Sequence, residues 1–238
     1  MPGQYTYTNT WLDITFNGYW QYSPADIPTG ETLSNWVTEI YKVYPHLDLF
    51  KSVTNISVWH PDRSDCPSIK SYAGLCYPDG HIELNALYTD KDTLSHECGH
   101  HMAMGSNMGP WGDLSGITMW NLYTQLRGSD FTQATPSEER WAEDFRFFYG
   151  CDSVRGIKRP NDDSKRSPTE VLGLSTFIGN FKYVLDYWRS NGAPSTASYD
   201  AEVWSWSKRV WWWTEYYYFA NKTFYKWSKN QWIPFRTV

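Results

Sequence analysis

Long apolar runs are missing from this chain. Nothing in it approaches the roughly 20 consecutive apolar residues that a membrane-spanning helix needs, so no membrane span is expected. Basic residues are not gathered into a stripe. Asp and Glu (26) outnumber Lys and Arg (21), giving a net charge of −5, and nucleic acid is therefore not an expected partner. Cysteine is scarce: Cys66, Cys76, Cys98 and Cys151 are the whole set. No C-x-x-C occurs, which excludes a cysteine-type zinc ribbon. An even count permits two disulfides. Cys66 and Cys76 lie on either side of the SYAGL turn region and form the expected local bridge, while Cys98 would reach Cys151 only if their helices were neighbours. The opening residues MPGQYTYTNTWLD have neither a basic start nor an apolar run, so no signal peptide is expected in them.

Aromatic residues, by contrast, are abundant: 15 Trp, 18 Tyr and 11 Phe. Such rings fill cores, and they also suit contact surfaces for peptides, sugars or partner proteins. With 238 residues, the chain is long enough for one sizeable domain, or for one domain with an appended module.

Along the chain, YTYTNTWLDITFNGYW is rich in Thr and aromatics and reads as one or two strands. ETLSNWVTEIYKVYP has helical spacing at Leu33, Trp36, Val37, Ile40, Tyr41 and Tyr44, and Pro45 ends it. VTNISVWH reads as a strand. YAGLCY and HIELNA flank Pro78-Asp79-Gly80 as a hairpin. Helices are expected over 91–104 with Gly105 as a stop, over GDLSGITMWNLYTQLR, over SEERWAEDFRFFYG between Ser137 and Gly150, and over TEVLGLSTFIGNFKYVLDYWRS. CDSVRGIKRPNDDSKRSP reads as a long charged loop. The tail closes on FYKWSKNQWIPF, a hairpin turning near Ser228 to Asn230. The expected class is α+β, with a main domain over 1–190 and an aromatic-rich C-terminal extension over 191–238.

The chemistry concentrates in TLSHECGHHM, residues 93–102. His96 and His100 stand four apart, which on a helix means about 40° of rotation and about 6 Å of rise. Two imidazoles so placed reach one ion, and zinc suits neutral imidazole nitrogen. Glu97 sits on the flank of that face, within reach of a metal-bound water rather than of the metal. This is the H-E-x-x-H arrangement of a zinc metallopeptidase. Against it stands the plain alternative of a helix that carries two histidines. His101, four residues after Glu97, either tunes that base or binds substrate, or is a surface histidine with no role.

A catalytic zinc keeps three protein ligands and one open position. The metzincin extension would need Gly at 103 and His at 106, where this chain has Ala103 and Ser106. ERWAEDFRFF instead offers Glu139 and Glu143 on one helix face, with Trp141, Phe145 and Phe148 on the opposite one. Glu138 and Asp144 are further acids in that stretch.

HECGH followed by E-R-W-A-E-D-F-R resembles the gluzincin metallopeptidases, in particular the branch holding anthrax lethal factor and the clostridial Pro-Pro endopeptidases. The resemblance covers about residues 80–150. It implies a zincin-like fold, a small twisted sheet over helices with the metal between them. It implies zinc as cofactor, Glu139 as third ligand and Glu143 as the acid that orients a ligand histidine. Departures from the pattern are Arg140 in place of an aromatic, Asp144 in place of a small residue, and Thr132 where the branch carries a tyrosine.

The function these features imply is a zinc-dependent endopeptidase. Its metal-activated water would lose a proton to Glu97, and the substrate would be a peptide or protein. The oxyanion would be stabilised by one of Tyr123, His81, Tyr149 and Arg140. HIELN, with His81, Ile82 and Glu83, would be the edge strand along which an extended substrate adds. The alternative is a catalytically idle or structural binding protein that retains the fold. In that reading the aromatic C-terminus attaches the chain to a virion or cell-surface partner. A secreted, extracellular or virion-associated setting fits either reading.

Overall fold

A computed structural model describes residues 2–44, 50, 52–104, 123, 137–157, 175 and 178–179. It also describes five strand segments: 199–200, 203–210, 213–220, 223–228 and 231–237. Its class is α+β. The chain divides into two compact units. One comprises Met1–Ser106 with Glu138–Ile157, and the other Asn107–Ser137 with Lys158–Val238.

The first unit is built on a five-stranded mixed sheet. Strand β1 (Gly3–Asn9) returns as β2 (Ile14–Trp20) through a tight reversal. There the Asn9 side-chain oxygen accepts from the backbone N–H groups of Trp11 and Leu12, and Asp13 takes a positive φ of 58°. Helix α1 (Gly30–Val43) follows. Thr29 caps it by accepting from the Thr32 N–H, and its stripe of Leu33, Val37 and Ile40 is wholly buried. Strand β3 (Asn55–Trp59) lies parallel to β2. A short 3-10 turn at Ser68–Ser71 then leads into the hairpin of β4 (Gly74–Cys76) and β5 (His81–Asn85). Gly80 makes that hairpin's turn with φ +91°, and a Cβ there would fall 2.0 Å from the Ser52 carbonyl oxygen.

The strand order is β1-β2-β3-β5-β4. Alternation sends Ile14, Phe16, Ile56, Val58, Ile82 and Leu84 to one face, where each is at most 1 % exposed. Helix α1 packs on β1 and β2, and helix α2 (Lys91–Met104) packs on β4 and β5. The opposite face is polar. Thr6, Asn17, Asn55, Ser57 and His81 form a hydrogen-bonded ladder across four strands.

The order corrects one expectation. HIELN is not the edge strand. The three-residue β4 pairs outside it and takes the edge, so Ile82 is core, while His81 and Glu83 lie on the polar face. A second correction concerns cysteine: all four are free. Cys66 closes a turn with its N–H on the Arg63 carbonyl, while Cys76 is fixed in β4 opposite Ile82. The expected Cys66–Cys76 bridge is absent because strand pairing, rather than sequence proximity, directs the second thiol.

In the second unit the described strands are β6 (Tyr199–Asp200), β7 (Val203–Val210), β8 (Trp213–Ala220), β9 (Thr223–Ser228) and β10 (Gln231–Thr237). They form an antiparallel meander in which each pair is joined by two residues. The expected FYKWSKNQWIPF hairpin is β9–β10, with Ser228 opposite Gln231. Pro234 sits on the edge strand, where a missing N–H breaks no interior ladder. The expected helices over GDLSGITMWNLYTQLR and TEVLGLSTFIGNFKYVLDYWRS, the Gly105 stop and the loop beyond Ile157 fall largely outside the described residues. Tyr123, Ser175, Ile178 and Gly179 are helical within them. Among the described residues no helix is long and apolar enough to cross a membrane.

Candidate metal centre

Helix α2 starts at Asp90, whose carboxylate accepts from the Thr93 N–H at 2.7 Å. It is tied to α1 by Lys91 Nζ, which reaches both oxygens of Glu39 at 2.6 and 2.8 Å. Leu94, Cys98, Met102 and Ala103 are buried at 1 % or less. Glu97 is also buried, at 6 % exposure, because it lies beneath the edge strand: a Cβ on Gly74 would stand 2.5 Å from the Glu97 carboxylate. The glycine is what lets β4 pass that close.

Helix α3 (Ser137–Tyr149) crosses α2 where both chains are small. A Cβ on Gly99 would meet the Ala142 Cα at 2.7 Å, and the Trp141 indole N–H donates to the Gly99 carbonyl at 3.0 Å. Trp141, Ala142 and Phe145 are fully buried. That seat fixes the rotation of α3 and leaves Glu139, in its first turn, facing the two imidazoles. Gly150 ends the helix with its N–H on the Arg146 carbonyl at 2.9 Å.

Three donor side chains converge. His96 Nε2 and His100 Nε2 lie 3.1 Å apart, His96 Nε2 and Glu139 Oε2 3.1 Å, and His100 Nε2 and Glu139 Oε1 3.4 Å. A tetrahedral ion with bonds of about 2.0–2.1 Å separates its donors by about 3.3–3.4 Å. Two imidazole nitrogens and the two oxygens of one carboxylate suit zinc in their chemistry, and their separations lie close to that value. Among the described residues these three form the group able to hold a metal ion.

Electrostatics at the centre follow from the same contacts. Burial pushes the His96 imidazole down, but the Glu139 and Glu143 carboxylates outweigh it and raise it to about 9. His100 and His96 together hold the Glu139 carboxyl well below the usual carboxylate range. Glu143 Oε2 stands 3.5 Å from His96 Nδ1, on the ring edge away from the convergence point. Its other oxygen accepts from Arg146.

His101, expected to tune Glu97, to bind substrate or to lie at the surface, is not at the surface. It is 1 % exposed, bonds Ser52 Oγ at 2.8 Å, and burial lowers it to about 4, so it is a neutral internal tie. His81 bonds Ser57 at 3.2 Å and stacks on Tyr77, and Glu83 accepts from the Tyr77 hydroxyl at 3.0 Å. Tyr149 lies ten residues past Glu139, about 15 Å along the helix. Its ring packs on Tyr44 and Phe145, and burial pushes its hydroxyl up to about 12. That distance removes it as an oxyanion group. Arg140 and Asp144 are buried on α3, and Tyr123 is buried in the second unit. Gly74, Gly99 and Arg146 were missed. Gly99 lies inside HECGH itself, and Arg146 stands one helical turn after Glu143, so both had a sequence signal. Comparison with family models, with curated proteins and with solved structures finds no match.

Proposed function

We propose that the chain is a zinc-dependent endopeptidase of zincin-like fold and gluzincin type, with His96, His100 and Glu139 as ligands. The observation that carries this is the convergence of three side chains from two helices, with His96 Nε2 3.1 Å from His100 Nε2 and 3.1 Å from Glu139 Oε2, and His100 Nε2 3.4 Å from Glu139 Oε1. A zinc ion held there lowers the pKa of a bound water to about 7 and polarises a carbonyl group. Glu97, on the flank of the same helix and sheltered under Gly74, takes a proton from the attacking water and passes it to the leaving amine. Glu143, whose Oε2 stands 3.5 Å from His96 Nδ1, favours a proton on that nitrogen and so keeps the Nε2 lone pair directed at the ion. Strand β4 is an edge of the sheet among the described residues and lies beside Glu97, so an extended peptide adds there through main-chain hydrogen bonds.

The test is zinc content and cleavage of a broad peptide library by the wild type and by Glu97→Gln. About one zinc per chain is expected in both, with cleavage reduced about 10²–10⁴-fold in the variant. Bound zinc with no cleavage by the wild type would instead favour the idle, binding-protein reading.

A further inference from the structure

The group least explained by packing is Arg146. It is 1 % exposed, at the end of α3 farther from Glu139. A guanidinium offers five N–H donors, and here five contacts use them. Nε donates to Glu143 Oε1 at 2.9 Å. Nη2 donates to the same oxygen at 2.5 Å and to the Ile157 carbonyl at 2.8 Å. Nη1 donates to Asp92 Oδ1 at 3.0 Å and to the Val154 carbonyl at 3.0 Å.

A buried ion pair of this kind is weak evidence for stability, because apolar side chains of similar volume often serve as well. What it does supply is geometry. Asp92 and His96 stand one turn apart on α2. Arg146 grips the first directly and the second through Glu143, whose other oxygen is 3.5 Å from His96 Nδ1. The turn that follows α3 closes over the guanidinium with two carbonyls, which leaves the side chain one orientation.

We propose that Arg146 is a positioning residue for the metal centre, locking Glu143 against His96 so that the imidazole stands ready before the ion arrives. This rests on the metal-site reading above. Glu143 held at one oxygen by Arg146 has its second oxygen fixed for the imidazole. Without Arg146 the carboxylate is free to turn, and the His96 ring loses its anchor.

The test is zinc affinity by chelator competition, with the visible spectrum of the Co²⁺-loaded protein as a second readout. It compares wild type, Arg146→Met, Arg146→Lys, Glu143→Gln and the Arg146→Met/Glu143→Gln double variant. Arg146→Met and Glu143→Gln are each expected to weaken zinc by about 10–100-fold and to alter the cobalt spectrum. The double variant should bind no more than about threefold more weakly than Glu143→Gln alone, because Arg146 acts through Glu143. If Arg146→Met fails to fold, Arg146→Lys carries the test. Three N–H groups cannot fill four acceptors, so its affinity should fall between wild type and Glu143→Gln. Zinc affinity equal to wild type in the folded Arg146 variant overturns the proposal. So does an Arg146 effect of the same size with and without Glu143. Failure of the wild type to bind zinc at all is a different result, and it removes the function reading itself.

Discussion

The two helices that meet at the centre contribute unequally. On α2, His96 and His100 keep 14 % and 12 % of their side-chain surface, and Glu97 is enclosed between helix and edge strand. On α3, Glu139 retains 47 %. One helix is held by the sheet, by α1 and by α3, so its imidazole pair is fixed by the fold. The other presents its carboxylate from a first turn and depends on the Trp141–Gly99 seat to aim it. The paired imidazoles are thus a property of the fold, and the third donor a property of one helix–helix contact.

Removing single groups should expose that asymmetry. Zinc affinity by chelator competition is expected to fall in the order wild type, Glu143→Ala, Glu139→Ala, His100→Ala. The first step is about 10–100-fold and the last is loss of stoichiometric uptake. An affinity for Glu143→Ala below that for Glu139→Ala would exchange their assigned roles. Trp141→Ala strikes the seat itself. It should cost about 3–5 kcal/mol in denaturant unfolding, and a cost under about 1 kcal/mol would mean that α3 is aimed by something else. Gly74→Ala leaves the ligands alone but forces the Glu97 carboxylate aside. Displacement of a reacting group by about 1 Å costs about 10²-fold in rate, so peptidase kcat should drop on that scale with zinc affinity unchanged. Equal kcat would separate Glu97 from the chemistry.

The smallest effect is in pH. His96 in the metal-free protein is raised to about 9, above its ordinary 6.5, so the stability it contributes is complete below about 6.5 and is lost as pH rises through about 9. His101, lowered to about 4, contributes stability that is complete above about 6.5 and lost as pH falls through about 4. The thermal midpoint with chelator present should therefore be highest near pH 6.5 and decline on both sides of it. Saturating zinc should remove the alkaline decline, since the ion requires neutral His96. A metal-free midpoint that climbs from pH 6.5 to 9 would contradict the ion pairing drawn here.

Local signals were legible in the sequence. Helix α2 spans 91–104 as its pattern indicates, α1 buries most of its periodic stripe, and Pro78-Asp79-Gly80 does form a hairpin. What the sequence did not display was strand order. HIELN became an interior strand because β3 pairs with it in parallel on one side and the short β4 covers the other. No local property of five residues reports which neighbours they will have. His101 is buried rather than at the surface for the same reason: its side chain meets Ser52 instead of solvent. Tyr149 is a different case, since helical rise alone places it about 15 Å from Glu139. Glu139 and Glu143 were distinguishable only by resemblance, because four residues apart on one face both appear able to reach the same point. The structure brings Glu139 to His96 Nε2 and Glu143 to Nδ1.

X-ray absorption at the zinc edge of the metal-loaded protein tests the central claim most directly. The account predicts a four-coordinate shell of nitrogen and oxygen at about 2.0–2.1 Å, with outer-shell scattering from two imidazoles. Scattering from one imidazole or none, or a six-oxygen shell, would show that the donors of His96, His100 and Glu139 do not share an ion.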